Sequence, residues 1–134
     1  MKLSSKTITA IKMFIDLGEQ YENGFISLKD IALRKDLSKK FLEQIVPAYK
    51  NNGLILGNRG NQGGYKLAKA PNKTSLKDII YVLENGLAKE QIGYAPIDKA
   101  INKADDLLDD YFSKISLAKL IEDQRESYLN DYSI

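Results

Sequence analysis

The stretch "RGNQGGYKL", residues 59–67, places three glycines close behind one arginine and just before an alternating Tyr-Lys-Leu. Such a stretch is either a loop that cradles a phosphate or the tip of a β-hairpin. A phosphate loop needs the pattern G-x-x-x-x-G-K-[ST] at the start of a helix, and a dinucleotide-binding loop also leads into a helix. Here the glycines lead into a strand-like segment. The sequence therefore predicts a hairpin of "LILG" (54–57) and "YKLA" (65–68), with Arg59 at its tip.

Two helices joined by a tight turn are predicted before this hairpin, and a further helix before them over residues 6–21. Ser27 is a predicted N-cap for a helix over 28–35, and Ser38 is one for a helix that ends at about residue 52. Pro47 lies inside that helix and is expected to bend it, because proline has no backbone N–H. A close pair of helices is either a helix-turn-helix or an ordinary helical hairpin, and these residues alone favour neither.

The first residues of the second helix of a helix-turn-helix enter the major groove of DNA. Here those positions carry polar or charged side chains: Ser38, Lys39, Lys40, Glu43 and Gln44. The hairpin would then be the wing of a winged helix, and a narrow minor groove attracts an inserted arginine such as Arg59. The alternative is a surface hairpin that carries an incidental arginine.

The last third of the chain is predicted to be mostly one long helix. Apolar residues recur in it at alternating steps of four and three: Ile97, Ile101, Ala104, Leu108, Tyr111 and Ile115. This heptad pattern predicts pairing with a second copy of the chain, and the alternative is packing back on the chain's own first domain. Ser116 is expected to cap a final helix over residues 117–125.

Charge is divided unevenly along the chain. Residues 1–80 contain 14 Lys and Arg against 7 Asp and Glu, whereas residues 81–134 contain 6 against 11. This division predicts one part that binds a polyanion such as DNA and another that does not. The run "DDLLDD" at 105–110 could hold a metal ion, but like charges at helical spacing are more typical of a solvated face. We therefore expect no metal site there.

The chain contains no cysteine and no histidine. This excludes disulfides, thiol nucleophiles and histidine acid–base catalysis, and no other catalytic constellation is visible, so an enzyme is not expected. No apolar run approaches the roughly 18 residues of a membrane span, and the start "MKLSSKTIT" lacks a signal-peptide core. We expect a cytoplasmic protein that has no cofactor and makes no membrane contact.

Several motifs taken together resemble the Rrf-type family of bacterial winged-helix transcription regulators. Its members include an iron–sulfur cluster regulator and a cysteine-metabolism repressor. The matching stretches cover most of the chain: "MKLSSK" (1–6), "SLKDIA" (27–32), "LSKKFLEQI" (37–45), "NNGLI" (51–55), "RGNQGGYKLA" (59–68), "SLKDIIYVLE" (75–84) and "ISLAKL" (115–120).

The resemblance implies a homodimeric regulator, with a repressor favoured, that binds a pseudo-palindromic operator in double-stranded DNA. It implies that Glu43 and Gln44 read base edges, that Lys39 and Lys40 contact a phosphate or a guanine, and that Arg59 and Asn61 enter the minor groove. Sensory members carry three cysteines in the connection before the long helix. The corresponding stretch here, "NGLAKEQIGYAP" (85–96), has none, so no iron–sulfur cluster held by thiolates is expected.

These observations together predict a mainly α-helical chain with a small β-hairpin. We expect a winged helix-turn-helix domain over residues 1–84, a connecting loop over 85–96, and a dimerisation helix with a short C-terminal helix over 97–134. The competing function is a winged-helix protein-interaction module that docks an enzyme or another regulator. A signal could enter through an effector protein or through a small molecule bound near Tyr81, Tyr94 and Tyr111, although tyrosines are more often plain core.

Overall fold

A computed structural model describes residues 2–60, 63–87 and 91–132, without the side chains of residues 131 and 132. The helices are α1 (Ser5–Glu19), α2 (Leu28–Lys35), α3 (Lys39–Asn51), α4 (Leu76–Tyr81), α5 (Ala95–Ser113) and α6 (Leu117–Tyr132), and the strands are β1 (Ile55–Asn58) and β2 (Gly64–Leu67). The predicted fold class, mainly α with a small hairpin, is confirmed. None of the helices in the described part of the chain is long and apolar enough to cross a membrane.

The capping serines begin their helices as the sequence predicts. The Ser27 hydroxyl accepts a hydrogen bond from the backbone N–H of Asp30, and the Ser38 hydroxyl accepts one from Phe41. Between α2 and α3, Asp36 adopts a left-handed conformation with φ of 53°, which short polar side chains tolerate better than most. This single residue makes the turn tight enough to hold the two helices as a helix-turn-helix.

The core forms around α1, whose buried side chains contact α2, α3 and α6. The ring of Phe14 packs edge-on against Tyr49 with centroids 4.9 Å apart. The Tyr49 hydroxyl is buried and donates a 2.7 Å hydrogen bond to the carbonyl oxygen of Ile79 in α4. Burial, together with the charge of Glu84, raises the pKa of Tyr49, so its hydroxyl stays a neutral donor. These contacts fix α3 against the two helices behind it.

β1 and β2 pair antiparallel, with Ile55 opposite Leu67 and Asn58 opposite Gly64. Tyr65 of β2 also exchanges two 2.8 Å backbone hydrogen bonds with Ile26, which ties the hairpin to the start of the helix-turn-helix. A Cβ at Gly64 would collide with the Ile26 carbonyl, and Gly60 at the hairpin tip has φ of +111°. The glycines thus provide the close approach and the positive φ that the sequence predicts for a turn.

The C-terminal part of the chain returns to the first domain. The backbone N–H of Leu117 donates to Thr74, and that of Leu76 donates to Ile115, both at 2.8 Å. Leu117 and Ile121 then complete the core beside α1. The final helix extends to Tyr132, so the predicted end at residue 125 is wrong, because no turn residue interrupts the helical residues that follow it. The predicted boundaries at residues 84 and 97 therefore divide the chain by proposed role, while residues before and after them share one core.

Candidate nucleic-acid interface

Helix α3 presents two opposite surfaces. One is fully buried in the core and consists of Leu42, Ile45, Val46 and Tyr49. The other is exposed and carries each of the polar positions singled out from the sequence: Ser38, Lys39, Lys40, Glu43 and Gln44. We call this exposed surface the α3 face. A helix held by its apolar side with its polar first turns in solvent has the arrangement that enters a DNA major groove.

The side chains of the α3 face are not held by strong contacts within the chain. Lys39 and Glu43 approach to 3.8 Å, but both are more than half exposed, so this pair contributes little to stability. Each can therefore turn towards a ligand at small cost. The pair also places a positive and a negative group one helical turn apart on the surface that DNA would meet.

Arg59 follows directly after β1, at the tip of the wing, and is exposed. In the part of the chain that the structure describes, the ion pairs do not include Arg59. Its guanidinium can therefore reach a phosphate or a minor groove without breaking such a contact. Asn61, which the resemblance places beside it, lies outside the described residues.

Two ion pairs between α1 and α2 hold the helix-turn-helix rigid. Arg34 contacts both carboxylate oxygens of Asp16, at 2.8 and 3.0 Å, and Asp16 is 1% exposed. Lys35 and Glu19 lie 2.6 Å apart beside them. The hydrogen bond that Arg34 donates to Asp16 raises the pKa of Arg34; burial opposes this effect and the negative charge of Asp16 adds to it. A buried carboxylate with a two-bond guanidinium partner fixes α2 against α1.

The sequence reading missed a groove between α3 and the wing. It is lined by Glu43, Val46, Pro47, Lys50, Asn51, Leu28 and Tyr65. Pro47 and Lys50 are exposed, and the Lys50 ammonium lies 6.0 Å from the centre of the Tyr65 ring. Helical spacing could have found both residues, because they lie four and seven positions after Glu43 and so continue the same side of α3.

The six residues of the predicted seam on α5 do not share one environment. Leu108 and Ile115 pack against a small cluster of Leu76, Ile80 and Leu87 in the same chain. Ile101 is partly buried, and Ala104 is exposed. Ile97 and Tyr111 are exposed, at 44% and 62%. Leu108 and Ile115 therefore pack on their own chain, because α5 lies along α4 instead of projecting freely.

An exposed apolar surface nevertheless runs along the other side of α5. We call it the α5 stripe, and it consists of Ile97, Ala100, Ala104, Leu107 and Tyr111. These residues are spaced by three and four, so they share one side of the helix over about 21 Å. Leu107, which was not among the predicted seam residues, is 61% exposed. Two of the exposed positions are thus Ala100 and Leu107, each one residue before the predicted Ile101 and Leu108.

The acidic run on α5 is not one solvated face, as the sequence suggested. Asp105 is 5% exposed, and its carboxylate accepts a 2.9 Å hydrogen bond from the backbone N–H of Leu87. Asp106 and Asp110 are exposed, and Asp110 pairs with Lys114 at 2.9 Å. Asp98, nearer the start of α5, accepts from the N–H groups of residues 92 and 93. The aspartates thus hold the connecting loop to α5.

The tyrosines considered for an effector pocket lie in different environments. Tyr81 is half-buried between α4 and α5, where burial and the neighbouring carboxylate of Asp109 raise its pKa. Tyr94 and Tyr111 are 63% and 62% exposed. The described contacts therefore give no enclosed pocket that these three residues line together.

The fold and the α3 face define a winged-helix DNA-binding protein. A family model described as Rrf2, an iron-dependent transcriptional regulator, matches residues 3–123. The chain belongs to this Rrf2 family of DNA-binding transcription regulators, and the resemblance seen in the sequence is confirmed.

Individual relatives support the same assignment. The HTH-type transcriptional regulator CymR of Bacillus subtilis is 37% identical over 92 residues, which cover 69% of this chain and 67% of that protein. The solved structure of IscR from T. potens has a TM-score of 0.80 and 31% identity, covering 95% of this chain and 90% of that one. The structure of CymR, described as the global cysteine regulator of B. subtilis, has a TM-score of 0.79 and 29% identity, covering 91% and 97%.

The residues of this chain do not fit the iron–sulfur cluster found in some relatives. A cluster of that kind is bound by cysteine thiolates, in some cases with histidine, and the chain contains neither residue. Among the described residues, no group of three or more carboxylates is placed to hold a metal ion. The thiolate and imidazole donors that would hold such a cluster are therefore not present in this sequence.

Proposed function

We propose that this protein is a homodimeric, sequence-specific repressor that binds a pseudo-palindromic DNA operator without an iron–sulfur cluster. One observation carries the proposal: the buried side of α3 consists of aliphatic side chains and Tyr49, while its opposite side keeps every predicted base-reading side chain in solvent. A recognition helix needs this arrangement, because the scaffold must hold it rigidly without covering the side chains that read the bases.

The proposed contacts follow from the chemistry of each side chain. Glu43 accepts a hydrogen bond from a cytosine amine, and Gln44 pairs with adenine, both in the major groove. Lys39 and Lys40 contact phosphate or guanine beside them. The Ser38 hydroxyl accepts a hydrogen bond from the backbone N–H of Phe41, and Ser38 is proposed to place the start of α3 against the DNA backbone. Phosphate contacts set the register of the protein, and the base contacts give selectivity.

The wing is proposed to contact a second groove of the DNA, the minor groove. Arg59 lies exposed at the hairpin tip and is proposed to enter the minor groove, where a narrow A·T-rich segment concentrates negative potential. We propose Asn61 as its neighbour in that groove. The two 2.8 Å backbone bonds between Tyr65 and Ile26 would transmit the position of the helix-turn-helix to the wing. One chain would therefore read two adjacent grooves with a fixed offset.

The α5 stripe supports the homodimer. Its three large residues, Ile97, Leu107 and Tyr111, are 44%, 61% and 62% exposed on the isolated chain. Apolar side chains repeating by three and four along a helix are covered economically by the same surface of a second copy. We propose that the α5 stripe, with Ile101 at its edge, is the dimer seam, and that Leu108 and Ile115 support it from within each chain.

The proposed mode of action is occupancy of the operator in the bacterial cytoplasm. A repressor needs only to bind and exclude other proteins, and the described residues offer a DNA-binding surface for that purpose. A protein or a small molecule, rather than a cluster, would supply any signal. The acidic helices α5 and α6 would lie away from the duplex, because their aspartates and glutamates repel phosphates.

Fluorescence anisotropy with operator fragments selected from a random DNA pool tests this function. Affinity for the fragment should fall steeply between 50 and 200 mM salt, because phosphate contacts release counterions. Arg59→Ala should weaken binding, whereas Arg125→Ala, which removes an exposed arginine of α6, should not. Affinity that does not depend on salt, or equal binding by Arg59→Ala and the parent protein, would count against the proposed interface.

A further inference from the structure

Pro47 is an unfavourable residue for the interior of α3. It lies inside α3, which continues to Asn51 although proline removes the hydrogen bond to the carbonyl of Glu43. Proline in a helix interior is much less favourable than alanine. Pro47 is exposed, so burial in the core does not offset this cost. An unfavourable residue inside an exposed helix surface, not offset by burial, points to a role for that surface.

Pro47 also lies on the side of α3 that faces the proposed ligand. It follows Gln44 by three residues and Glu43 by four, so the three side chains share one surface. With Lys50 it forms the wall of the groove between α3 and the wing. The α3 face therefore continues beyond its polar first turns into an apolar ring flanked by a cation.

We propose that Pro47 reads the methyl group of a thymine in the major groove, next to the base pair contacted by Glu43; this inference rests on the proposed function. Among the base edges of the major groove, the thymine methyl is the apolar group that contacts apolar side chains. The pyrrolidine ring of Pro47 is apolar, rigid and exposed, and it lines the same groove as Glu43. Pro47 thus determines specificity without making a hydrogen bond.

Replacing thymine by deoxyuridine removes only this methyl group, which makes the contact directly testable. Each thymine of the selected operator is replaced in turn, and affinity is measured by anisotropy for the parent protein and for Pro47→Ala. The parent should lose about four-fold in affinity at one thymine per half-site, equivalent to about 0.8 kcal/mol for one buried methyl. Pro47→Ala should show a clearly smaller loss at that position, because it removes the Cγ and Cδ atoms of the ring and keeps only the Cβ. Alanine restores the N–H and suits a helix, so the variant should fold.

Lys50→Ala is the contrasting variant, because it should weaken binding to all sequences and keep the deoxyuridine effect. An operator with no thymine next to the Glu43 contact would overturn the role of Pro47, and so would a deoxyuridine effect as large in Pro47→Ala as in the parent protein. Those outcomes leave the proposed function intact. Failure of the parent protein to select any DNA would overturn the proposed function together with this contact.

Discussion

Leu107 is the residue whose replacement tests the α5 stripe most simply. Its side chain is 61% exposed on the single chain, so changing it should not damage the fold of that chain. Complete burial of a leucine side chain contributes about 1.5–3 kcal/mol, and the exposed fraction leaves about 1–2 kcal/mol to be gained at a dimer seam. The seam contains the residue twice, so Leu107→Lys should weaken the dimer by about 2–4 kcal/mol.

This loss corresponds to a dissociation constant raised by about 30- to 1,000-fold. Sedimentation velocity over a concentration series measures it, and circular dichroism verifies that the helices remain. Leu33→Lys is a matched control, because Leu33 is 72% exposed on α2, outside the stripe. The control should leave the dissociation constant unchanged. If Leu107→Lys dimerises as tightly as the parent protein, the stripe is not the seam.

Three further substitutions test the scaffold that presents α3. Arg34→Ala leaves Asp16 buried with no guanidinium and should lower the free energy of unfolding by about 2 kcal/mol, between the values for surface and buried pairs; urea unfolding measures this. Tyr49→Phe keeps the ring but leaves the Ile79 carbonyl without its donor, and should cost about 1–2 kcal/mol in the same assay. The Glu84 carboxylate accepts hydrogen bonds from the start of α1, and these bonds lower its pKa. Glu84→Gln weakens them and should destabilise the fold at pH 7. This destabilisation should shrink as the pH falls below about 4.

Each of these substitutions has an outcome that contradicts its reasoning. Arg125→Ala, on the surface of α6, should change the free energy of unfolding by no more than about 0.5 kcal/mol. An equally small change in Arg34→Ala would contradict the role of the buried ion pair. For Tyr49→Phe the contradicting outcome is an unchanged midpoint. Glu84 has a lowered pKa, so the charged form stabilises the fold above the unfolded pKa and this contribution is lost on acidification. A Glu84→Gln effect that grows at low pH would therefore have the wrong sign.

The winged helix itself could be predicted from the sequence because its signals are local. Ser27 and Ser38 begin their helices through hydrogen bonds to residues three positions on, and such caps are legible without tertiary structure. The glycines could be assigned to a hairpin turn for the same reason, since a strand-like segment follows them. The polar positions of the α3 face followed from helical spacing, because a helix with one apolar side must expose the other.

The C-terminal part was less predictable, because its arrangement depends on what α5 packs against. A heptad pattern identifies an apolar helix surface but not whether a second copy or the same chain covers it. Here Leu108 packs on α4, while Leu107 beside it is exposed on the single chain. The burial of Asp105 was also not visible, because its partner, the N–H of Leu87, is 18 residues away. Long-range contacts of this kind leave no periodic signal.

Pro47 shows a different limit of sequence reading. Its presence predicts a bend in a helix that still continues to about residue 52, and the helix does continue through it to Asn51. Only the fold shows that the ring lies exposed beside Glu43, and thus that an apparent fault in the helix lies on the proposed reading surface.

The central claim is that two chains, joined through α5, place two α3 faces in successive major grooves of one operator. Hydroxyl-radical footprinting of the selected operator, combined with light scattering of the complex, tests it most directly. Two protected half-sites about 34 Å apart, with two chains on each duplex, are the expected result. A single protected half-site bound by one chain with undiminished affinity would contradict the claim.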